Sequence, residues 1–456
     1  MNPTQDVIII GAGARGNRVF ADLIAHHDTG FRTVGVVELD PVRRAAFQER
    51  YGIPDERAFS FIDDFLNAPR FGDIVFICTP DPTHYSLCRA VSEHGYDILL
   101  EKPIATNLPE CLALLDVEES YENRIFVAHV LRYSPFFRTV KAIIDAGELG
   151  AVRHIGLSEN VGHWHFAHSY VRGNWRRRDL TAPIILTKSC HDLDILYWLM
   201  GKRVQSVSSH GGLNYFTAAN APPGAAGRCT ECRYRDECLY SATRFYLSER
   251  KEWPFDVIAP PPDTLALRRR AVEEGPYGRC VWHCDNDVCD TQSVVLEFAD
   301  RVHATFELQA LTADNTRELR ILFDTAELHG DLHRGRLEIS HFTGGKDELR
   351  VEPIPLPETP DSHGGGDLAL LQALHEHLTS GGHGDIMTSL RSSLPSHVLA
   401  FLADESRRTR QRLPVPEIFA PRRPRRPRAP GLPVAEPESV VVNPASRARK
   451  RRKGER

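Results

Sequence analysis

The chain has 456 residues, 41% apolar and 26% charged, with a formal net charge of -5. That length predicts two domains, and the apolar share is enough for sizeable cores. No run is long and apolar enough to cross a bilayer as a helix, so no membrane-spanning helix is expected. Residues 421–456 hold twelve Lys/Arg against three Glu, which leaves an acidic body and a basic tail. Nucleic acid is therefore excluded as a partner of the body and is left only as a weak contact of the tail. The N-terminus has no basic stretch followed by an apolar run, which predicts a cytoplasmic location.

In chain order, Asp6 to Ile10 reads as a short buried strand. It feeds Gly11-Ala-Gly13-Ala-Arg15-Gly16 and then a helix from about Asn17 to His26. Gly11 permits the tight turn, Gly13 lets backbone approach a pyrophosphate, and Gly16 lets helix and strand pack closely. A second strand, Thr33 to Val37, ends at Glu38, where a carboxylate accepts hydrogen bonds from an adenosine ribose and repels a 2′-phosphate. NAD is the expected cofactor, and Arg43 and Arg44 keep NADP open. A third unit carries the strand Asp73 to Cys78, the turn Thr79-Pro80-Asp-Pro-Thr-His84 and a helix from Tyr85 to His94. Ile98 to Leu100 then end a buried strand, and Glu101-Lys102-Pro103 follows at its mouth. Proline stops the strand there and holds Lys102 where an open α/β sheet puts its ligand.

The glycine turn, Thr79-Pro-x-x-x-His84 and Glu101-Lys-Pro103, in this order and spacing, resemble the Gfo/Idh/MocA family of NAD(P)-dependent oxidoreductases over roughly residues 5–410. The resemblance implies an N-terminal Rossmann domain and a C-terminal α/β domain with a large open, mostly antiparallel sheet. It implies Lys102 as a catalytic residue. Cofactor contact is assigned to Gly11, Gly13, Arg15, Gly16, Glu38, Thr79, Pro80, His84, Glu101 and Lys102. The expected boundaries are 1–130 for the Rossmann domain and 131–360 for the substrate domain, with a Cys-rich insertion at 211–292. C-terminal helices at 361–412 would pack back on the body, and 413–456 is expected to be a disordered Pro/Arg-rich tail.

In the second half, a strand at Val152 to Ser158 precedes Gly162 to Arg176, a segment dense in His, Trp and Arg. Indole faces suit sugar CH surfaces, and His and Arg suit hydroxyls or a carboxylate, so His165, His168, Arg172 and Trp175 are the substrate candidates. Ile184 to Gly201 reads as one helix with Lys188, His191 and Asp194 on a polar face. His191 is the acid–base candidate, because an imidazole titrates near neutrality. His191-x-x-Asp194 resembles the family's second signature, which implies a catalytic His. The family has Asp four residues before that His, whereas this chain has Thr187, with Lys188 next as a substitute candidate.

Ten cysteines are many for a reducing compartment, and six fall between Cys229 and Cys289. The spacing C-x2-C-x5-C at Cys229, Cys232 and Cys238, completed by Cys284 or Cys280, predicts a structural zinc or, as the alternative, an iron–sulfur cluster. Strands dominate from Ser293 to Asp331. Asp367 is a plausible N-cap of a helix reaching Thr379, and a last helix runs from Ser393 to Arg410. The activity expected is hydride transfer between a nicotinamide cofactor and a sugar, cyclitol or related polyol, by a homo-oligomer associating through the open sheet. An NAD-dependent glycosidase and a non-catalytic NAD-binding sensor are the alternatives.

Overall fold

The computed structural model describes residues 3–345, 348–359, 363–383 and 386–417. In the N-terminal half the apolar runs fold as the parallel strands β1 (Gln5–Ile10), β2 (Phe31–Val37), β3 (Ala58–Phe59), β4 (Ile74–Ile77), β5 (Asp97–Leu100) and β6 (Ile125–Val127). Their order is β3-β2-β1-β4-β5-β6. Residues Val7–Ile10 and Ile74–Ile77 are wholly or nearly wholly buried, as expected of strands covered on both faces. The order reverses between β1 and β4, where such a sheet opens its crevice at the strand C-termini. A helix at Leu108–Tyr121, which the sequence reading did not identify, crosses between β5 and β6. Its cap is Asn107, whose side chain accepts from the Glu110 amide at 3.0 Å.

The second sheet has nine strands. These are β7 (His154–Gly162), β8 (Val204–Gly212), β9 (Thr291–Phe298), β10 (His303–Thr312), β11 (Thr316–Leu322), β12 (Ala326–Asp331), β13 (Arg336–His341), β14 (Arg350–Pro353) and β15 (Leu413–Pro414). Their order is β14-β13-β12-β11-β7-β10-β9-β8-β15. Only β7 and β10 pair in parallel, so the sheet is mixed and mostly antiparallel. Burial alternates along β9 and β10, with one face on the core and one toward solvent. The Cys-rich insertion lies between two strands that pair directly, with Gly212 opposite Thr291.

Three expectations are corrected. The stretch 184–201 is two helices, Ile184–Thr187 and Cys190–Met200, in which His191, Asp192 and Asp194 are buried while Lys188 is only partly so. Asp194 is bound bidentately by Arg132 at 2.6 and 2.7 Å. Asp367 is not an N-cap: the helix Gly366–Thr379 is capped by Gly365, and the Asp367 carboxylate binds Arg15. The chain does not lose order at Leu413. Leu413 and Pro414 pair with Val207 and Ser206, and the Val415 amide donates to Gln205 O. The rest of the expected tail, 418–456, lies outside the described residues.

Candidate active site

The glycine turn closes as the strand–turn–helix pattern requires. Gly11 has φ +94°, and a Cβ on it would lie 2.9 Å from the Cys78 backbone. A Cβ on Gly16 would lie 2.1 Å from Gly11 O, so only glycine lets this helix pack on β1. A Cβ on Gly13 meets nothing within 4 Å, so that side of the turn faces the open crevice. Glu38 leaves the end of β2 and folds back on the turn. Its Oε2 accepts from the Ala12 amide at 2.8 Å and its Oε1 from the Asp40 amide at 3.0 Å. Those two bonds fix the carboxylate yet leave lone pairs for ribose hydroxyls. Arg44 is turned inward, donating from Nη1 to Glu38 O at 2.6 Å, while Arg43 stays exposed.

Arg15 does not stay on the turn. It reaches across to Glu101 (Nε to Oε1, 2.5 Å) and Asp367 (Nη2 to Oδ1, 2.6 Å). Thr79 lies over Gly11 and accepts from Thr83 Oγ1 at 2.7 Å. His84, assigned to the cofactor from sequence, is fully buried, with Nδ1 2.6 Å from Pro103 O and Nε2 2.9 Å from Thr79 O. The buried ring thus lies between the Thr79 turn and the Glu101-Lys102-Pro103 turn, with each nitrogen against a main-chain carbonyl rather than facing the crevice.

Lys102 and His191 meet at the break between the two helices. In an unbroken helix the Thr187 carbonyl would accept from the His191 amide. Here it accepts Lys102 Nζ at 2.8 Å. His191 is 5% exposed, and its Nδ1 has no hydrogen-bond partner. Burial first, then the Lys102 charge and the neighbouring His129, hold its pKa well below the ordinary imidazole value. The ring is therefore neutral at neutral pH and able to take a proton. Beside it lies a buried charge cluster that the sequence reading found only in part. Lys188 Nζ binds Glu159 Oε1 at 2.9 Å, Arg317 Nη2 lies 2.5 Å from Glu159 Oε2, and Arg317 Nε donates to Asp192 Oδ1 at 2.6 Å. Burial raises Asp192 to about 7 against the pull of Arg317.

The His/Trp/Arg segment divides. His165 faces the Lys102/Lys188 side: after burial, the Lys188 charge is the next cause lowering its pKa, with Lys102 also contributing. Trp164 and Trp253 flank its ring at 5.7 and 4.8 Å, and Asn315 Oδ1 lies 3.0 Å from its Nδ1. His168 instead stacks on Tyr277 at 4.9 Å, and its Nδ1 lies 2.9 Å from the Tyr246 hydroxyl. Arg172, 2% exposed, donates to Arg279 O at 2.8 Å and Tyr240 O at 2.7 Å. These two are corrected from substrate candidates to groups that hold the insertion in place. Trp175 donates to Asp81 Oδ2 at 3.0 Å and ties the segment to the Thr79 turn.

In the insertion, Cys229, Cys232, Cys238 and Cys280 line one cavity of about 20 Å³ beneath Tyr240 and Trp282. Cys284 is not in that lining; its Sγ donates to Cys280 O at 3.2 Å, so Cys280 takes its place as fourth candidate. Among the described residues, no group of three or more His, Cys, Asp or Glu is arranged to hold a metal ion. Sequence reasoning also missed His129 and His363, whose rings lie 5.3 and 6.3 Å from that of His191. The run His363-Gly-Gly-Gly-Asp367 was an available signal. Gly364 and Gly365 have φ +62° and +83°, and the turn they make brings His363 Nδ1 to 2.6 Å from Asp367 Oδ2.

The family pattern described as the Gfo/Idh/MocA oxidoreductase family with an NAD-binding Rossmann fold matches residues 6–129. The pattern for the Gfo/Idh/MocA C-terminal domain matches residues 137–227. A Bacillus subtilis (strain 168) protein named as an oxidoreductase, YteT, is 26% identical over 396 residues, 81% of this chain and 88% of its own. An inositol 2-dehydrogenase of Corynebacterium glutamicum is 29% identical over 210 residues, 45% of this chain and 57% of its own. The structure of levoglucosan dehydrogenase with NADH and L-sorbose superposes with a TM-score of 0.67 at 17% identity, covering 91% of this chain and 100% of that one.

Proposed function

This chain belongs to the Gfo/Idh/MocA family of NAD-dependent oxidoreductases, and from that premise we propose that it oxidises a secondary alcohol of a cyclitol, sugar or related polyol. The observation that carries the reading is the pairing of a lysine at a Rossmann strand end with a neutral, buried histidine from the second domain. In this reading the bound nicotinamide supplies the hydride acceptor. His191 takes the hydroxyl proton. Lys102, aimed by the Thr187 carbonyl, donates to the same oxygen and favours its alkoxide. Thr187 in place of an acid leaves a Lys/His pair, with Lys188 neutralising Glu159 rather than replacing the acid. His165, Trp164 and Trp253 are the proposed wall for the substrate's CH faces and hydroxyls.

Glu38 is proposed to select NAD, since a carboxylate held at the end of the second strand by the Ala12 and Asp40 amides would repel a 2′-phosphate. The relatives support the substrate class, because those proteins are named for inositol and levoglucosan. The experiment is NADH formation from NAD over a panel of cyclitols, anhydrosugars and aldoses. Turnover of at least one polyol supports the reading, and NAD binding with no turnover of any overturns it.

Two accessory proposals accompany it. Cys229, Cys232, Cys238 and Cys280 would hold a structural zinc if the thiolates draw together on the ion; metal analysis should then give about one zinc per chain, and folded, metal-free protein overturns the site. The solvent-facing side of the nine-stranded sheet would be the surface for self-association, which sedimentation would test.

A further inference from the structure

The insertion between β8 and β9 touches both the ligand segment and the Rossmann domain. Its arm, residues 253–263, carries Pro254, Pro260, Pro261 and Pro262, whose fixed φ angles leave the backbone little freedom. Phe255 and Ile258 are buried with Tyr246 and Val272 in a core of the insertion's own, so the arm is rooted there. Trp253 and Asp256, three residues apart, reach outward from it. The Trp253 ring lies 4.8 Å from that of His165 and 5.4 Å from that of His168, on the ligand segment. Asp256 forms an ion pair with Arg18, whose Nη2 also donates to Asp256 O at 3.3 Å.

Arg18 belongs to the Ala14–Ala21 helix that opens at the glycine turn. Asp263 of the arm senses the same arginine. Its hydrogen bond from Arg268, at 2.5 Å, and the charges of Arg268 and Arg18 hold its carboxyl below the ordinary value against burial. A dinucleotide bound as proposed above runs from the glycine turn, at its pyrophosphate, toward Lys102, at its nicotinamide. The arm is held at both ends of that course, by Asp256 on the glycine-turn helix and by Trp253 on His165. The Arg18 and Asp256 side chains are 39% and 14% exposed, so water reaches the pair and it can part without opening a core.

We propose that residues 253–263 form a strap across the cofactor crevice, latched by Arg18 and Asp256, that opens to admit NAD and to release NADH. The latch acts by holding the strap in place, not by touching the cofactor. Opening also carries Trp253 off His165, so the substrate wall is complete only when the strap is shut. Cofactor therefore binds before the polyol and leaves after its product.

The test is stopped-flow binding of NADH to the full chain, read by nucleotide fluorescence. Asp256→Ala should raise the association and dissociation rates together, each about fivefold, the size of a half-exposed ion pair, with Kd within about twofold. A latch changes both rates, whereas a lost cofactor contact raises dissociation alone. Arg18→Ala should do the same, and the double variant should add less than about twofold to either single one, because the two residues act as one pair. Unchanged rates, a rise in dissociation alone, or fully additive effects overturn the strap by itself. Unaltered protein that does not bind NADH overturns the cofactor reading on which the strap rests, and the strap with it.

Discussion

Two polar regions of this molecule look alike in sequence and differ in what their side chains have left to give. Around Lys102 and His191, a lysine is bonded to one main-chain carbonyl and a buried imidazole keeps a nitrogen without a partner. Around His168 and Arg172, a histidine and a basic side chain are again together but spent on protein: the imidazole on a tyrosine hydroxyl, the guanidinium on two carbonyls. Unspent hydrogen-bonding capacity, rather than residue type, separates a group poised to act on a ligand from one that holds the fold.

The contrast can be broken most directly at its reactive end. Lys102→Ala and His191→Asn should each lower kcat by roughly 10²–10⁴-fold with little change in melting temperature. NAD affinity, read by fluorescence titration, should hardly move. Equal losses of stability and activity would put these residues on the structural side. Arg172→Ala is the converse. It strands two buried carbonyls and should cost about 3 kcal/mol in urea unfolding, while kcat per folded molecule stays within about twofold.

A smaller effect separates the regions by pH. Burial, then Arg172, lowers the His168 pKa to about 3, so the ring is neutral in the fold. The unfolded chain takes up a proton at His168 as pH falls below about 6.5, so stability is present above that pH and lost below it. Between about pH 7.5 and about pH 5.5, His168→Phe should lose about 1.4 kcal/mol less stability than the unaltered protein. Equal acid sensitivity would mean that His168 is not held neutral. The smallest effect belongs to Glu38→Ser, which should weaken NADH binding about fivefold, about 1 kcal/mol, and narrow the preference over NADPH. Unchanged preference would mean that Glu38 does not set it.

The Rossmann half was legible because its rules are local. Glycine spacing, an acid after the second strand, and proline after the fifth each act on neighbours in sequence, and Glu38 needs only Ala12 and Asp40. Arg172 was misread because its partners, Tyr240 and Arg279, come from an insertion far along the chain. His84 was misread for a related reason: it is bonded to a turn nineteen residues away. The break at Lys188–Ser189 left no clear mark, because a lysine from the other domain takes the Thr187 carbonyl there. His363 was passed over because Asp367 was read as the N-cap of the helix that follows, whereas the glycines turn the chain so that its carboxylate meets the imidazole.

The insertion leaves β8 and returns on β9 at residues that are already partners, Gly212 and Thr291. Its two ends therefore sit a strand spacing apart, about 5 Å, and a short hairpin turn could join them without moving either strand. The insert brings Trp253, Tyr246 and Tyr277 against the segment of His165 and His168, and it shares a core with the sheet through Phe216, Val281 and Trp282. The same junction therefore places a wall of the proposed substrate site on a segment anchored at both ends to neighbouring strands.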